Sequence, residues 1–209
     1  MKKLLTIALA SVVASGCTSI NTADNVVPIS EVPDKLIENT HKVFFFAGLS
    51  FEGSAVQLDE EWVLSTKHHA FIKKMQGVEV FEHPTCDAVM WRRSSDSYIP
   101  VASDAIIEEQ LTMLGYLPNF LPMASTKGKV LGNIVDGLGC TYTLLYGGIY
   151  KGMSGGGAYN SSEQLVGINV GWREIPVKWD HWDREFNGTV VILPVAYLQD
   201  WIEEVKNEN

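Results

Sequence analysis

Short apolar runs, separated by glycine, proline and polar residues, dominate the chain from His41 onward. They are rich in β-branched, aromatic and aliphatic residues, which is typical of β-strands. The runs cover residues 43–47, 54–58, 62–65, 78–81, 88–91, 129–131, 141–146, 165–170 and 189–193. Many short strands at such intervals predict an all-β sandwich or barrel.

Two segments have the spacing of a helix instead. Residues 195–206 follow Pro194 and place apolar side chains at i, i+3, i+4 and i+7, with acidic residues opposite, which predicts an amphipathic helix. Residues 104–114 are compatible with a shorter helix that ends at Gly115. The chain is therefore expected to be all-β with a C-terminal α-helix.

The first sixteen residues predict a secretion signal. Lys2 and Lys3 precede an apolar stretch over residues 4–14, which is too short to span a bilayer. Small residues and then Cys17 follow, a pattern that resembles the lipobox of bacterial lipoproteins. The resemblance implies that residues 1–16 are removed and that Cys17 carries lipid such as palmitate. The alternative is an ordinary signal followed by an unrelated cysteine.

The same resemblance implies a location in the bacterial cell envelope. Thr18, rather than aspartate, follows the cysteine, and this favours the outer membrane facing the periplasm. Residues 18–34 are polar, contain two prolines and lack periodicity, so that residues 17–40 are expected to be a lipid anchor and tether. The folded domain is expected over residues 41–209.

The charge balance argues against nucleic acid as a partner. The formal net charge is −9, and it becomes −11 when Lys2 and Lys3 are lost with the signal. No cluster of lysine and arginine compensates, and such a surface repels phosphate backbones.

The remaining cysteines, Cys86 and Cys140, allow two interpretations. In an oxidising compartment they can form a disulfide, and they can equally be buried as small hydrophobic residues. The pairs His68–His69 and His83–Cys86 lack the spacing of tetrahedral metal ligands. Because no glycine-rich phosphate loop follows a strand either, neither a metal nor a cofactor is predicted.

The segment Gly152-Met153-Ser154-Gly155-Gly156-Gly157 carries the clearest chemical signal. A serine hydroxyl needs a base and a stabilised oxyanion before it acts as a nucleophile. Glycines allow the sharp backbone bend that directs the N–H groups of Gly152 and Ser154 towards one oxyanion. Taken alone, the segment also fits a flexible glycine and serine loop.

Two further segments supply a base and an acid. His68 follows the apolar run 62–65, and Asp87 opens the apolar run 88–91. An acid at the start of a buried strand needs a partner, and a histidine N–H is one. Individually, these residues also fit a surface histidine and a strand cap.

In the order histidine, aspartate, serine, the three segments resemble the trypsin-like (chymotrypsin-fold) serine peptidases. The matching residues are Val63-Leu64 with His68, Asp87-Ala88-Val89-Met90 and Gly152-x-Ser154-Gly155-Gly156, and the resemblance covers about residues 43–206. It implies two packed β-barrels, over about residues 41–100 and 108–193, closed by the helix 195–206.

The resemblance also implies an activity, that of a serine endopeptidase acting on a protein or peptide through an acyl-enzyme. Ser154 would be the nucleophile, His68 the general base and Asp87 the residue that orients the base. Substrate would be bound by Gly148, at the floor of the specificity pocket, and along the strand edge at Asn169, Val170 and Gly171. An uncharged floor disfavours lysine or arginine at that subsite.

Some assignments stay open on the sequence. His69 competes with His68 as the base, and Asp96 or Asp104 competes with Asp87 because only 19 residues separate His68 from Asp87. Met153 replaces an acid that pairs with a new N-terminus in family members activated from zymogens.

Two other functions compete with the peptidase. Residues 152–156 also satisfy G-x-S-x-G, the nucleophile elbow of α/β-hydrolases, which would make the chain an esterase with Asp180 and His181 downstream. A catalytically inert, protease-like binding lipoprotein is the third possibility.

Overall fold

The structure is a computed structural model that describes residues 25–46, 50–102, 104–118 and 121–209. The strands in this part are β1 (Val26–Val27), β2 (Thr40–Phe46), β3 (Ser50–Gln57), β4 (Trp62–Ser65), β5 (Phe81–Glu82), β6 (Val89–Arg92), β7 (Gln110–Tyr116), β8 (Met123–Val135), β9 (Thr141–Gly147), β10 (Gly157–Tyr159), β11 (Leu165–Arg173) and β12 (Thr189–Pro194). The helices are α1 (Asp34–Glu38), α2 (Ala70–Met75) and α3 (Gln199–Glu208). Single 3₁₀ turns cover Ile29–Glu31, Lys67–His69 and Val195–Leu198. The all-β class with a C-terminal helix is confirmed.

The second half of the chain forms a closed antiparallel barrel. Its strand order is β8-β7-β10-β11-β12-β9, and β9 pairs back with β8. The short strand β1 also pairs with β8, antiparallel. Because the sheet closes on itself, each of the six barrel strands pairs with a neighbour on both sides. The barrel is filled by apolar side chains, among them Leu111, Met113, Leu145, Val166 and Ile192.

The first half forms a five-stranded antiparallel sheet with the order β2-β3-β4-β6-β5. Its apolar face carries Val43, Ala55, Val63 and Trp91, and Ile72 of α2 packs into the same cluster. This sheet delivers the end of β4 and the start of β6 to one place, because Ser65 pairs with Val89. The residues next to these two positions are the predicted base and acid.

A shared core and a disulfide join the two halves. Leu64 and Met90 from the first sheet, Leu114 and Ile168 from the barrel, and Ile202 of α3 belong to one buried cluster. Cys86 and Cys140, 54 residues apart in the chain, form a disulfide. The disulfide interpretation of these cysteines is therefore correct.

The helix expected over residues 104–114 is wrong. Residues Gln110–Tyr116 form β7, which lies between β8 and β10 in the barrel. Leu111 and Met113 are fully buried, whereas Gln110 is exposed and Thr112 is half-buried. The alternation over residues 110–113 belongs to a strand, and Leu114 on the opposite face is buried in the core that the two halves share. The tertiary pairing therefore overrides the local helical spacing.

The tether expected over residues 17–40 is also wrong for its described part. Residues 25–40 pack on the domain through β1, the Ile29–Glu31 turn and α1, with Val32 and Leu36 buried. The signal over residues 1–16, the lipid site at Cys17 and residues 18–24 lie outside the described residues. Within the described part of the chain, no helix is long and apolar enough to cross a membrane.

Candidate active site

Two hydrogen bonds connect His68, just after β4, to Asp87, just before β6. His68 Nδ1 lies 2.9 Å from Asp87 Oδ2, and the backbone N–H of His68 donates to Asp87 Oδ1 at 3.1 Å. Burial raises the pKa of the Asp87 carboxyl, but the hydrogen bonds from His68 outweigh it, and the net pKa lies below its ordinary value. Asp87 is therefore an ionised acceptor that fixes the plane of the ring.

The alternative acid Asp104 is engaged elsewhere. Its carboxylate accepts from Tyr197 Oη at 3.1 Å and from the backbone N–H of Ala105 at 2.7 Å. Among the described residues, which include Asp96, the carboxylate bonded to His68 is that of Asp87.

His69 lies behind His68 and is buried. The two ring centroids are 4.3 Å apart. His69 Nδ1 is 3.2 Å from Ser65 Oγ and 3.0 Å from Thr66 Oγ1. Burial, reinforced by the neighbouring His68, lowers the pKa of His69 to about 3. The ring occupies the space that a side chain at Gly53 would need, so His69 is enclosed on that side and does not share the exposed position of His68.

Ser154 lies on a tight loop between β9 and β10. Gly152 and Gly155, on either side of it, have φ values of 87° and 79°, a left-handed conformation that favours glycine. The Ser154 hydroxyl donates to the carbonyl of Val170 at 3.0 Å. Within the described residues, no group accepts a hydrogen bond from the backbone N–H of Gly152 or Ser154. The oxyanion hole at these two N–H groups stays a prediction.

β3 of the first sheet anchors this loop. The backbone N–H of Ser54 donates to the carbonyl of Ser154 at 2.9 Å, and Ser54 Oγ donates to the carbonyl of Gly152 at 2.9 Å. Ser54 Oγ in turn accepts from the backbone N–H of Tyr116 at 2.8 Å. One hydroxyl therefore links the serine loop to both halves of the molecule.

Ser54 and Ser65 lie between the loop of Ser154 and the Lys67–His69 turn. A methyl group at Gly155 would overlap the carbonyl oxygen of Ser54 and Ser65 Oγ, and Ser65 Oγ is the group that contacts His69. The structure thus brings the segments of Ser154 and His68 to one interface. In this arrangement the Ser154 hydroxyl is bonded to Val170, and His68 Nε2 lies 3.2 Å from Thr66 Oγ1.

The substrate role of Asn169 stays a prediction, and the structure assigns its polar groups to internal hydrogen bonds. Its side chain is fully buried, and its amide donates to the carbonyls of Leu114 at 2.8 Å and Met153 at 3.3 Å. Its backbone N–H and carbonyl are bonded to Gly156 and Gly155 at 2.8 and 2.7 Å. Asn169 therefore fixes the serine loop from behind.

The other predicted substrate residues lie in the second part of β11 and just after β9. The register of β11 against β12 shifts between Asn169 and Gly171, so Val170 forms a β-bulge whose carbonyl turns to Ser154. Gly171 has open space on its side-chain side. Gly148 is buried just after β9. The substrate roles of Gly148, Val170 and Gly171 stay predictions.

The esterase interpretation is wrong on structural grounds. A nucleophile elbow connects a strand to a helix, whereas the loop of Ser154 connects β9 to β10. His181 is held at the β8 carbonyl of Leu131, 2.9 Å from its Nε2, and Trp182 Nε1 donates to the same carbonyl at 2.8 Å. These residues pack with Trp179 and Phe186 as an aromatic cluster on the barrel.

One group of potential metal ligands occurs in the described part of the chain, namely His83, Cys86 and Cys140. Both sulfurs belong to the disulfide. His83 Nδ1 accepts from the backbone N–H of Cys86 at 2.9 Å and from that of Thr85 at 3.2 Å, so its lone pair is used. These groups do not fit a metal site.

Sequence reasoning missed the hydroxyls that hold the site together. Ser54, Ser65 and Thr66 appear in the sequence as ordinary strand residues, and no motif marks them. The available signal was their position: Ser65 and Thr66 fill the interval between the apolar residues of β4 and His68, where buried hydroxyls need partners.

No protein-family model matches the chain, and no curated protein matches it. Solved structures do resemble it. The active form of the Rv3671c protease from M. tuberculosis gives a TM-score of 0.63 at 14% identity, covering 88% of this chain and 89% of that chain. The serine endoprotease from Yersinia pestis gives 0.59 at 18% identity, covering 83% and 67%.

The inactivated protease paralogue S-I1 from the scabies mite gives a TM-score of 0.62 at 13% identity, covering 86% of this chain and 98% of that chain. At these identities the likeness shows the fold alone. The predicted chymotrypsin-like fold is confirmed, and the structures that share it are serine proteases together with an inactivated relative.

Proposed function

We propose that this protein is a serine endopeptidase that cleaves peptide bonds through an acyl-enzyme. The observation that carries the proposal is the His68–Asp87 pair, joined by hydrogen bonds of 2.9 and 3.1 Å. The pair belongs to the first sheet, against which the loop of Ser154 is bonded. An imidazole held by an ionised carboxylate at Nδ1 presents its other nitrogen as a base.

In the proposed reaction, His68 Nε2 takes the proton of the Ser154 hydroxyl as the oxygen attacks a peptide carbonyl. The N–H groups of Gly152 and Ser154 stabilise the oxyanion, and Asp87 stabilises the imidazolium. His68 then gives the proton to the leaving amine, and water releases the acyl group by the same route.

The proposed substrate is a protein or peptide in extended conformation. A peptide strand would lie along β11 at Val170 and Gly171, where the partly exposed residues leave space beside Ser154. Gly148 near the pocket floor brings no charge, which favours an uncharged substrate side chain there.

An inert binding protein is the second candidate, and two observations favour it. The Ser154 hydroxyl is bonded to the Val170 carbonyl rather than directed at the imidazole, and an inactivated paralogue shares the fold. In that case the cleft would bind a peptide without cleaving it.

The proposed location is the bacterial cell envelope, with lipid on Cys17 as the anchor to the outer membrane. The lipobox-like sequence supports this placement. Mass spectrometry of the mature N-terminal peptide tests it: a diacylated or triacylated Cys17 is expected, and an unmodified cysteine or a different N-terminus contradicts it.

Labelling with a fluorophosphonate probe tests the proposed activity. The wild type should be labelled and should hydrolyse casein, and Ser154→Ala should abolish both. Asp87→Asn should retain the fold and slow labelling by about 10³- to 10⁴-fold, because the ring loses its correct tautomer. A folded wild type that resists labelling would favour the binding protein, and full labelling of His68→Ala would remove His68 as the base.

A further inference from the structure

The directions of the hydrogen bonds around His68 can be assigned by counting protons. Asp87 is ionised and can only accept, so His68 Nδ1 carries the proton of the 2.9 Å bond. In the neutral ring, Nε2 then has a lone pair and no proton. Any hydrogen-bonding partner of Nε2 must donate to it.

Thr66 is the partner that the structure places there. Its hydroxyl oxygen lies 3.2 Å from His68 Nε2 and 3.0 Å from His69 Nδ1, and the side chain is fully buried. A hydroxyl has one proton to give. If that proton goes to His68, then His69 Nδ1 must be protonated and must donate to Thr66.

Ser65 requires the same proton on His69 independently. Its hydroxyl donates to the carbonyl of Ser54 at 2.7 Å and so has no proton left for His69. The 3.2 Å contact between Ser65 Oγ and His69 Nδ1 is a hydrogen bond only if Nδ1–H donates. Because burial lowers the pKa of His69 to about 3, the ring is neutral and bears its single proton at Nδ1.

These directions form one consistent series. His69 Nδ1–H donates to Thr66 Oγ1, the Thr66 hydroxyl donates to His68 Nε2, and His68 Nδ1–H donates to Asp87. Meanwhile the Ser154 hydroxyl donates to Val170. The nitrogen that must accept the proton of Ser154 is thus already occupied by another hydroxyl.

We propose that Thr66 is a positioning residue that restrains the site, because its hydroxyl, oriented by His69, occupies the lone pair of His68 Nε2 until Ser154 replaces it. The inference rests on the proposed function, since it concerns the same base and nucleophile. No bond is made or broken in the restrained state. Activation is the exchange of one hydroxyl donor for another at His68 Nε2.

Replacement of Thr66 by valine tests the restraint. Thr66→Val keeps the branched shape and removes the hydroxyl, so that Ser154 no longer competes for Nε2. Fluorophosphonate labelling should become about 2- to 10-fold faster, on the order of the contribution of one neutral hydrogen bond. Thr66→Ser restores the hydroxyl and should return the rate to that of the wild type.

Thr126→Val is the matched control. Thr126 is also buried, and its hydroxyl has no partner in the described part of the chain. Its labelling rate should equal that of the wild type. A Thr66→Val rate that is equal to or slower than the wild-type rate, in a folded protein, overturns the proposal.

Nitrogen-15 NMR of the histidine rings provides a readout that does not need activity. A ring nitrogen that accepts a hydrogen bond resonates upfield of one that does not. In a Ser154→Ala background, where Ser154 cannot take over as donor, the His68 Nε2 signal should therefore move downfield when Thr66→Val is added and return when Thr66→Ser is added instead. An unchanged signal overturns the restraint. If no variant is labelled but the signal moves as expected, the proposed peptidase function fails and the hydrogen bond from Thr66 stands.

Discussion

The two halves of the molecule contribute to the candidate site by different means. The loop of Ser154, in the barrel half, is fixed mainly by close packing of its backbone. Its glycines pack directly against carbonyl oxygens of both halves, and the side-chain amide of the buried Asn169 donates to Met153 and Leu114 from behind. The first sheet holds His68 through side chains, namely the Asp87 carboxylate and the Thr66 hydroxyl.

This difference predicts different tolerance to change. Backbone packing at left-handed glycines leaves no room for a side chain. A substitution at these glycines should therefore displace the loop and move Ser154 out of position. A side chain that turns about χ1 can exchange hydrogen-bonding partners at small cost. The hydrogen bonds around His68 can therefore be changed by substitution without loss of the fold, whereas the packing around Ser154 cannot.

The largest expected effect comes from Gly155→Ala. The methyl group would overlap the Ser54 carbonyl and Ser65 Oγ in a left-handed backbone. The free energy of unfolding should fall by about 3 kcal/mol or more, since overpacking and strain act together. Urea denaturation followed by tryptophan fluorescence measures this change.

Gly171→Ala is the control for Gly155→Ala. Gly171 lies on the strand beside the site, has open space on its side-chain side and does not have a left-handed φ. Its unfolding free energy should change by less than about 0.5 kcal/mol, as for other surface positions. Equal effects of the two substitutions would contradict the rigid packing of the serine loop.

The next effect in size concerns the disulfide that joins the two halves. The double variant Cys86→Ser, Cys140→Ser should lose about 2–4 kcal/mol of unfolding free energy, as expected for a cross-link between residues far apart in the chain. Because Asp87 follows Cys86 directly, labelling of Ser154 should also slow.

The labelling rates of the double variant and the wild type are compared under conditions in which both proteins are folded. A slower rate then reports a displaced Asp87 rather than unfolding. A variant that loses stability but labels at the wild-type rate would show that His68 alone positions Asp87.

The smallest expected effect is acid destabilisation, and it arises in the first half. Burial lowers the pKa of His41 to about 4, assisted by Arg93, and lowers the pKa of His69 to about 3. Below pH 6.5 the two imidazoles become protonated in the unfolded chain but stay neutral in the folded protein. Stability is therefore complete above pH 6.5 and falls as the pH drops towards the folded pKa values.

Between pH 6.5 and pH 5, each of these histidines should reduce the unfolding free energy by about 1–2 kcal/mol. Urea midpoints at the two pH values measure the loss. His41 is held by Gln57 at 2.9 Å, and a His41→Gln variant should lose less stability on acidification than the wild type. An identical pH dependence would contradict the contribution of His41.

Much of the fold was predictable because short strands leave a local signature. The pairing of His68 with Asp87 was predictable as well, from the resemblance of their two segments to those of trypsin-like peptidases. The strand at Gln110–Tyr116 was not, because its local spacing is also helical and its neighbours in the barrel decide its conformation. The burial of the Asn169 side chain was not predictable either, because the register shift next to it in β11 leaves no mark in the sequence.

The N-terminal segment was misjudged for a related reason. The apolar residues of 25–40 follow no sustained period, and the conformation of this segment comes from contacts with distant parts of the chain. Asn39 Nδ2 donates to Tyr159 Oη at 3.0 Å, and Thr40 Oγ1 lies 3.3 Å from the same oxygen. These partners are separated by 120 and 119 positions, beyond the reach of any local pattern.

The junction at Tyr159 also bears on biosynthesis. During translation, Asn39 leaves the ribosome long before Tyr159 exists, and its amide has no final partner until most of the barrel has been made. Contacts over such separations slow folding and lengthen the exposure of incomplete strands. The hydrogen bonds that connect residues 39 and 40 to the barrel can therefore form only after β10 has been synthesised.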